Sequence, residues 1–159
     1  MAAASQSAEA KQSLHANAVA FEEAGILIRG EARAGKSSLC FALMKLAEDS
    51  GRFCRLVGDD RIIVERQADR LIARGHPAIQ GMIERRGEGI IRVPFEPTVV
   101  LSLVIDLVPA DELPCASEAE GSQAEICGVK LPRLALPAGR SSYDCALAVL
   151  ARLHQTETI

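Results

Sequence analysis

Eight consecutive residues, Gly30-Glu31-Ala32-Arg33-Ala34-Gly35-Lys36-Ser37, carry the most specific chemistry in the chain. They fit G-x-x-x-x-G-K-S/T at every defined position. In that spacing backbone N–H groups curl round phosphates, a lysine reaches the β and γ phosphates, and a hydroxyl ligates Mg²⁺. At average composition the pattern arises by chance in roughly half a percent of chains this long. A helix beginning at the end of the loop adds positive potential where the anion would sit. Such a loop also needs a carboxylate at the end of an adjacent strand, for the metal or the attacking group. Asp59 and Asp60 stand there, after Phe53-Cys54-Arg55-Leu56-Val57-Gly58. Adjacent carboxylates on extended backbone point to opposite sides, so only one can face a given phosphate. Asp106, after Leu103-Val104-Ile105, is a rival, but its place inside a continuing apolar run suits a structural role better.

These residues need elements to position them. Ala16–Phe21 and Gly25–Arg29 are β-compatible runs separated by Glu22-Glu23-Ala24, which predicts a hairpin or two neighbouring strands. Beyond the loop, Leu39, Cys40, Leu43, Met44, Leu46 and Ala47 recur at helical spacing through Glu48, and Gly51 stops the helix. Phe53–Gly58 predicts a third strand, and Arg61–Glu65 with Arg70–Arg74 a hairpin about Arg66-Gln67-Ala68-Asp69. Pro77 suits the first turn of a short helix to about Met82. Thr98–Val108, rich in Val, Leu and Ile without alternation, reads as a strand buried on both faces. Residues 109–123 read as a loop, and 124–129 with 130–136 as two strands about Gly128. Ser141-Ser142-Tyr143-Asp144 reads as a capping box opening a last helix, with Leu147, Leu150 and Leu153 on one face. Residues 1–13, small and polar, have too little apolar surface to offset chain entropy and are expected to be a disordered tail.

Composition narrows the class. The 159 residues suit one domain, here 14–159, and two full domains will not fit. With 48% apolar and 25% charged residues the chain is globular. Only 3% are aromatic, so the core must be Ala, Leu, Ile and Val, and base-stacking platforms are scarce. A net charge of −3 argues against nucleic acid or an anionic membrane as partner. The five cysteines form no C-x-x-C pair, which predicts buried thiols in a reducing compartment rather than a zinc site or disulfides. The start lacks a secretory pattern, and the longest apolar stretch, Val99–Val108, is too short to span a bilayer. A soluble cytoplasmic protein is expected.

Leu14-His15-Ala16, Lys36 21 residues after that histidine, Leu56-Val57-Gly58-Asp59-Asp60-Arg61 and Ile83-Glu84-Arg85-Arg86-Gly87-Glu88-Gly89-Ile90-Ile91 occur in an order that resembles the HPr kinase/phosphorylase family. The last segment is similar to the family's E-x-R-G-x-G-I-I signature, and the resemblance covers about residues 13–153, the catalytic domain without the usual N-terminal domain. It implies an α/β fold of the HPr kinase/carboxykinase-like type, a P-loop nucleotide-binding domain with a mixed sheet and flanking helices. It also implies an ATP- and Mg²⁺-dependent serine kinase, with phosphorylase as a second direction, acting on a small HPr-type phosphocarrier and regulating a phosphotransferase system. Carried over residue by residue, Asp59 is the general base, Lys36 neutralises charge on the transferred group, and Ser37 and Glu84 hold Mg²⁺, with Asp60 as a further candidate ligand. His15 matches the family's histidine near the phosphates, and a hexamer is implied.

Four departures bear on direction. Arg33 replaces a small residue or glycine in the loop, and Ser38 replaces the glutamate that commonly follows the loop's serine. Asp111-Glu112-Leu113 stands where the family has D-R-L, so an arginine linked to catalysis is missing. The late basic segment, Leu136-Pro137-Ala138-Gly139-Arg140, keeps only Arg140, a candidate for the dephosphorylating direction that uses phosphate and yields pyrophosphate. A P-loop small-molecule kinase, or a regulatory protein that binds ATP without transferring phosphate, are the alternatives.

Overall fold

The computed structural model describes residues 10–157. Its elements are β1 (Lys11–Leu14), β2 (Ala16–Phe21), β3 (Ala24–Gly30), α1 (Lys36–Asp49), β4 (Cys54–Gly58), β5 (Ile62–Gln67), β6 (Arg70–Gly75), β7 (Met82–Arg85), β8 (Gly89–Arg92), β9 (Thr98–Val108), α2 (Ala116–Ala119), β10 (Gln123–Ile126), β11 (Val129–Pro137) and α3 (Ser142–Glu157). A mixed sheet runs β1-β5-β6-β9-β3-β2-β4, with β11 also paired to β9 and β10 to β11. β3, β9 and β11 are parallel, while β2 lies antiparallel to both β3 and β4. The carboxyl ends of β3, β4, β9 and β11 therefore meet at one edge, together with the start of β2. In an open α/β sheet that edge is where ligands bind.

Both faces of this sheet are buried, for a reason visible along β2. Val19 and Phe21 point to the side covered by α1 and α3, where Leu39, Leu43, Ala47, Ala146 and Val149 pack. Ala16, Ala18 and Ala20 point to the other side, against Val57, Ile62, Val64, Leu71 and Ala73. Small residues on that face let the β1-β5-β6 strands approach closely, so the sheet is covered by helices on one side and largely by its own strands on the other. The expected mixed α/β architecture with flanking helices is present, with the helices on one face.

Four expectations need correction. Lys11–Leu14 is a strand paired with β5, Gln12 opposite Val64, so residues 11–13 are not tail; residues 1–9 lie outside the described residues. The pairing is made by the backbone of an exposed edge strand, which side-chain polarity does not report. The helix expected from Pro77 is a single 3₁₀ turn, Pro77–Ile79, because Gly81 at φ 72° turns the chain and Met82 already begins β7. The 109–123 loop contains a 3₁₀ turn at Ala110–Glu112 and the short α2. The β10–β11 turn, Cys127-Gly128, has both residues at positive φ, as a two-residue type I′ hairpin requires. Cys40 and Cys145 are buried, but Cys115 is exposed, against the expectation of uniformly buried thiols. Among the described residues no helix is long and apolar enough to cross a membrane.

Candidate functional site

At the carboxyl edge, the loop between β3 and α1 is held by its own backbone. A Cβ on Gly30 would come within 3.0 Å of the Ala34 Cβ and 3.2 Å of Leu107, so a side chain there would be crowded where the strand turns into the loop. Arg33 occupies the left-handed region at φ 71°, which costs a non-glycine residue roughly 1–2 kcal/mol. Lys36 is buried, and its Nζ donates to the carbonyls of Gly30 (2.8 Å) and Glu31 (2.9 Å). The ammonium thus lies across the loop mouth, bonded to groups that an incoming phosphate oxygen would replace.

Asp59 and Asp60 point apart, but not on the extended backbone expected: both lie in a bend after β4, with Asp60 in the left-handed region at φ 64°. Asp59 is buried and turned inward, where its Oδ1 accepts from the Ser37 hydroxyl (2.7 Å) and the Asn17 amide (2.6 Å), and its Oδ2 from the Glu84 backbone N–H (2.9 Å). Asp60 is exposed and pairs with His15 Nε2. The carboxylate in contact with Ser37 is therefore Asp59, while Asp60, a further candidate metal ligand, pairs with His15. Asp106 lies on the far side of the sheet, bonded to Arg29 (2.7 and 2.8 Å) and Arg133 (2.5 Å). Burial raises its carboxyl pKa, but the two guanidiniums outweigh that and leave it below the ordinary value.

Asn17 was not singled out by its sequence context. It is wholly buried in β2, and besides Asp59 it reaches Ser37 Oγ (3.3 Å) and accepts from the Asp60 N–H (2.9 Å). One amide thus bridges β2, α1 and the Asp59-Asp60 turn, fixing which carboxylate points in. The available signal was a polar residue in the middle of an otherwise apolar strand, two positions after His15. Cys40, beneath it, is an inert filler: burial, only partly offset by the Asn17 amide, holds its thiol well above the ordinary range. Asn17→Leu should destabilise the fold by about 1–3 kcal/mol by leaving buried Asp59 short of a donor. It should also lower phosphoryl-transfer turnover more than nucleotide affinity, which chemical denaturation and steady-state kinetics together would read.

The E-x-R-G-x-G-I-I segment folds as a two-stranded hairpin, β7 paired with β8, turning at Gly87. It is anchored by buried Ile83 and by Arg85, whose guanidinium stacks 3.9 Å over the Phe41 ring of α1. This places Glu84 and Arg86 in a cleft of about 380 Å³ with His15, Lys36, Ser37 and Asp59. Arg140 does not line that cleft. It lines a smaller groove across the loop, with Arg33 shared between the two. Glu112 is exposed on the 3₁₀ turn after β9 and lines neither cavity.

The donors suit a hard cation. The Ser37 hydroxyl and the Glu84 carboxylate open into one cleft, with Asp59 in contact with Ser37. Among the described residues no cluster of three His, Cys, Asp or Glu could enclose a metal.

Comparison with known proteins identifies relatives of the chain. The model of the HPr serine kinase C-terminal domain matches residues 6–155. The chain is 31% identical over 141 residues to the HPr kinase/phosphorylase of Mycoplasma mycoides subsp. mycoides SC, covering 80% of this chain and 43% of that protein. It is 26% identical over 155 residues to the HPr kinase/phosphorylase of Malacoplasma penetrans, covering 90% and 50%. The chain thus spans about half the length of these curated relatives. A solved structure, the Hpr(Ser) kinase/phosphatase from Coxiella burnetii, superposes with a TM-score of 0.75 at 29% identity, over 92% of this chain and 97% of that one. With a match over nearly its whole length and a similar solved fold, the chain belongs to the HPr serine kinase C-terminal domain family.

Proposed function

We propose that the protein is an ATP-dependent protein-serine kinase whose substrate is a small HPr-type phosphocarrier, and that it favours phosphorylation over phosphorolysis. The observation that carries this is the contact of Asp59 with Ser37 at the mouth of the Gly30–Ser37 loop. It sets a proton acceptor directly beside the group expected to hold the metal and the nucleotide. Mg²⁺, when bound, would neutralise phosphate charge, with Ser37 and Glu84 as its protein ligands.

The chain's own residues divide the remaining work. A serine hydroxyl is a weak nucleophile and needs an oriented base. Asp59 Oδ1 is saturated by two donors, whereas Oδ2 takes only the Glu84 N–H, so the serine proton goes to the free lone pair of Oδ2. Lys36 leaves its carbonyl partners to meet the transferred phosphoryl group. His15 and Asp60 form the rim on the acceptor side, and exposed Arg86 beside them offers a cation to the phosphorylated product. The expected cytoplasmic location fits a carrier substrate of this kind.

Direction follows from the cations. In phosphorolysis an oxygen of inorganic phosphate attacks the phosphoserine phosphorus, the serine oxygen leaves with the proton from Asp59, and pyrophosphate forms. That attack needs a second anion held beside the first. Glu112 lies outside both cavities and brings no cation to them, and Arg140 stands across the loop from Asp59. Incubation of the carrier with ATP and Mg²⁺ should therefore give phosphoserine faster than phosphate at high concentration releases pyrophosphate from it. Transfer to histidine, or no transfer to any phosphocarrier, would overturn the proposed activity; phosphorolysis as fast as phosphorylation would overturn its direction.

A further inference from the structure

We infer that Ile90 and Arg92, on the outer face of the β7–β8 hairpin, dock the protein that presents the acceptor serine, and that they select a serine with an apolar residue and carboxylates close to it. This rests on the kinase reading above and adds to it what chooses the substrate at that site. The two faces of the hairpin differ in chemistry. Antiparallel register sets Ile83 opposite Ile91, Glu84 opposite Ile90 and Met82 opposite Arg92, and directly opposed side chains share a face. Ile83 is buried and Ile91 packs against the core that includes α1, so their face points inward. The outward face therefore carries Met82, Glu84, Ile90 and Arg92. Ile90 is 71% exposed, more than any other large apolar side chain among the described residues.

Single exposed apolar residues are ordinary on protein surfaces, so exposure alone carries nothing. The place of this one does. Glu84 lines the cleft, and its backbone N–H donates to Asp59 Oδ2, the oxygen that takes the serine proton. Opposed side chains on paired strands have Cβ atoms about 4.5–5.5 Å apart, which puts Ile90 at the rim directly beside Glu84. An extended chain advances only about 3.3 Å per residue. A protein that sets its serine hydroxyl at Oδ2 therefore crosses the hairpin's outer face within one or two residues of that serine.

Charge narrows what that neighbouring segment is. Arg86 lies toward the turn from Ile90 and Arg92 toward the base of the hairpin; both are exposed, and neither makes a side-chain hydrogen bond or an ion pair among the described residues. Of the two nearby carboxylates, Glu88 is held by Arg85 (2.6 Å) and Glu84 faces the metal site. An apolar side chain between two unpaired guanidiniums complements an apolar residue bordered by carboxylates, through charge-assisted hydrogen bonds on either side of an apolar contact. The surface is also held in place in advance: Arg85 stacks over the Phe41 ring on the inner face, which ties the hairpin to α1. A partner meeting a fixed face loses less freedom on binding.

The test is steady-state kinetics with an HPr-type phosphocarrier, varying carrier and ATP separately, beside light scattering for the oligomeric state. Ile90→Thr keeps a β-branched residue in the strand and removes its apolar reach. It should raise KM for the carrier about tenfold, with kcat at saturating carrier and KM for ATP within about twofold. Ile90→Val should recover most of the loss. Arg92→Glu should raise KM for the carrier at low salt by a factor that shrinks at high salt, where exposed charges are screened. A carrier KM unchanged by Ile90→Thr, or a fall in kcat with that KM kept, would overturn the inference while leaving the kinase intact, and an unchanged KM in Arg92→Glu would overturn the selection by charge. Dissociation of an oligomer by Ile90→Thr would also overturn it, since a second copy would then be what covers this face. Failure of the unmodified protein to phosphorylate any carrier would instead remove the kinase reading and the docking role with it.

Discussion

Lys36→Ala should abolish most of the rise in melting temperature that ATP and Mg²⁺ give the unmodified protein. A ligand that binds only the folded state stabilises it by about 2.7 kcal/mol at a hundred times its Kd. In a domain of this size that corresponds to roughly 5–10 °C, at about 2–4 °C per kcal/mol. Losing the ammonium removes the cation that meets the β and γ phosphates, and a hundredfold weaker complex would leave about 1 °C at the same ATP concentration. The substitution also removes two hydrogen bonds that steady the loop, to the carbonyls of Gly30 and Glu31. Each variant must accordingly be compared with its own ligand-free melting point. A shift as large as that of the unmodified protein would place the nucleotide away from the loop.

Asp59→Asn should lower kinase turnover by about 10²–10⁴-fold, the usual contribution of a positioned general base, with ATP affinity changed far less. The amide keeps the shape of the side chain but cannot take a proton. It also sets an NH₂ among groups that all donate, since Ser37, Asn17 and the Glu84 N–H each donate to Asp59. A modest loss of stability is expected with the loss of rate. Metal dependence separates this residue from its neighbour. Glu84→Gln should shift the Mg²⁺ titration to higher concentration, because a neutral amide is a poorer ligand for a hard cation, whereas Asp59→Asn should leave the midpoint nearly in place. If Asp59→Asn moved the midpoint as far as Glu84→Gln, its contact with Ser37 would mark a metal ligand and the base would have to be sought at Asp60 and His15.

Much of the site's position was legible because its signals are local. The Gly30–Ser37 spacing, the helical period from Leu39 to Ala47 and the strand that ends at Gly58 each depend on residues a few positions apart, and all three elements lie where those signals put them. The resemblance drew Ile83–Ile91 into the site without saying how it gets there. The start of the chain misled for the opposite reason. Lys11–Leu14 has little apolar surface, and it is ordered by pairing with a strand some fifty residues away, which no local pattern encodes.

By itself, then, the amino-acid sequence determined the loop, the pair of carboxylates and the α/β pattern, because short-range periodicity acts over a few residues. Only the tertiary structure decided that Asp59 is the inward carboxylate and Asp60 the partner of His15. That choice is made by Asn17, which lies 42 positions from Asp59 and 20 from Ser37, and by the Glu84 N–H, 25 positions from Asp59. Tertiary structure likewise set Glu84 and Arg140 on opposite sides of one loop. Buried polar groups must find donors and acceptors wherever strand order brings them, and that order is fixed by the packing of two sheet faces rather than by neighbours along the chain.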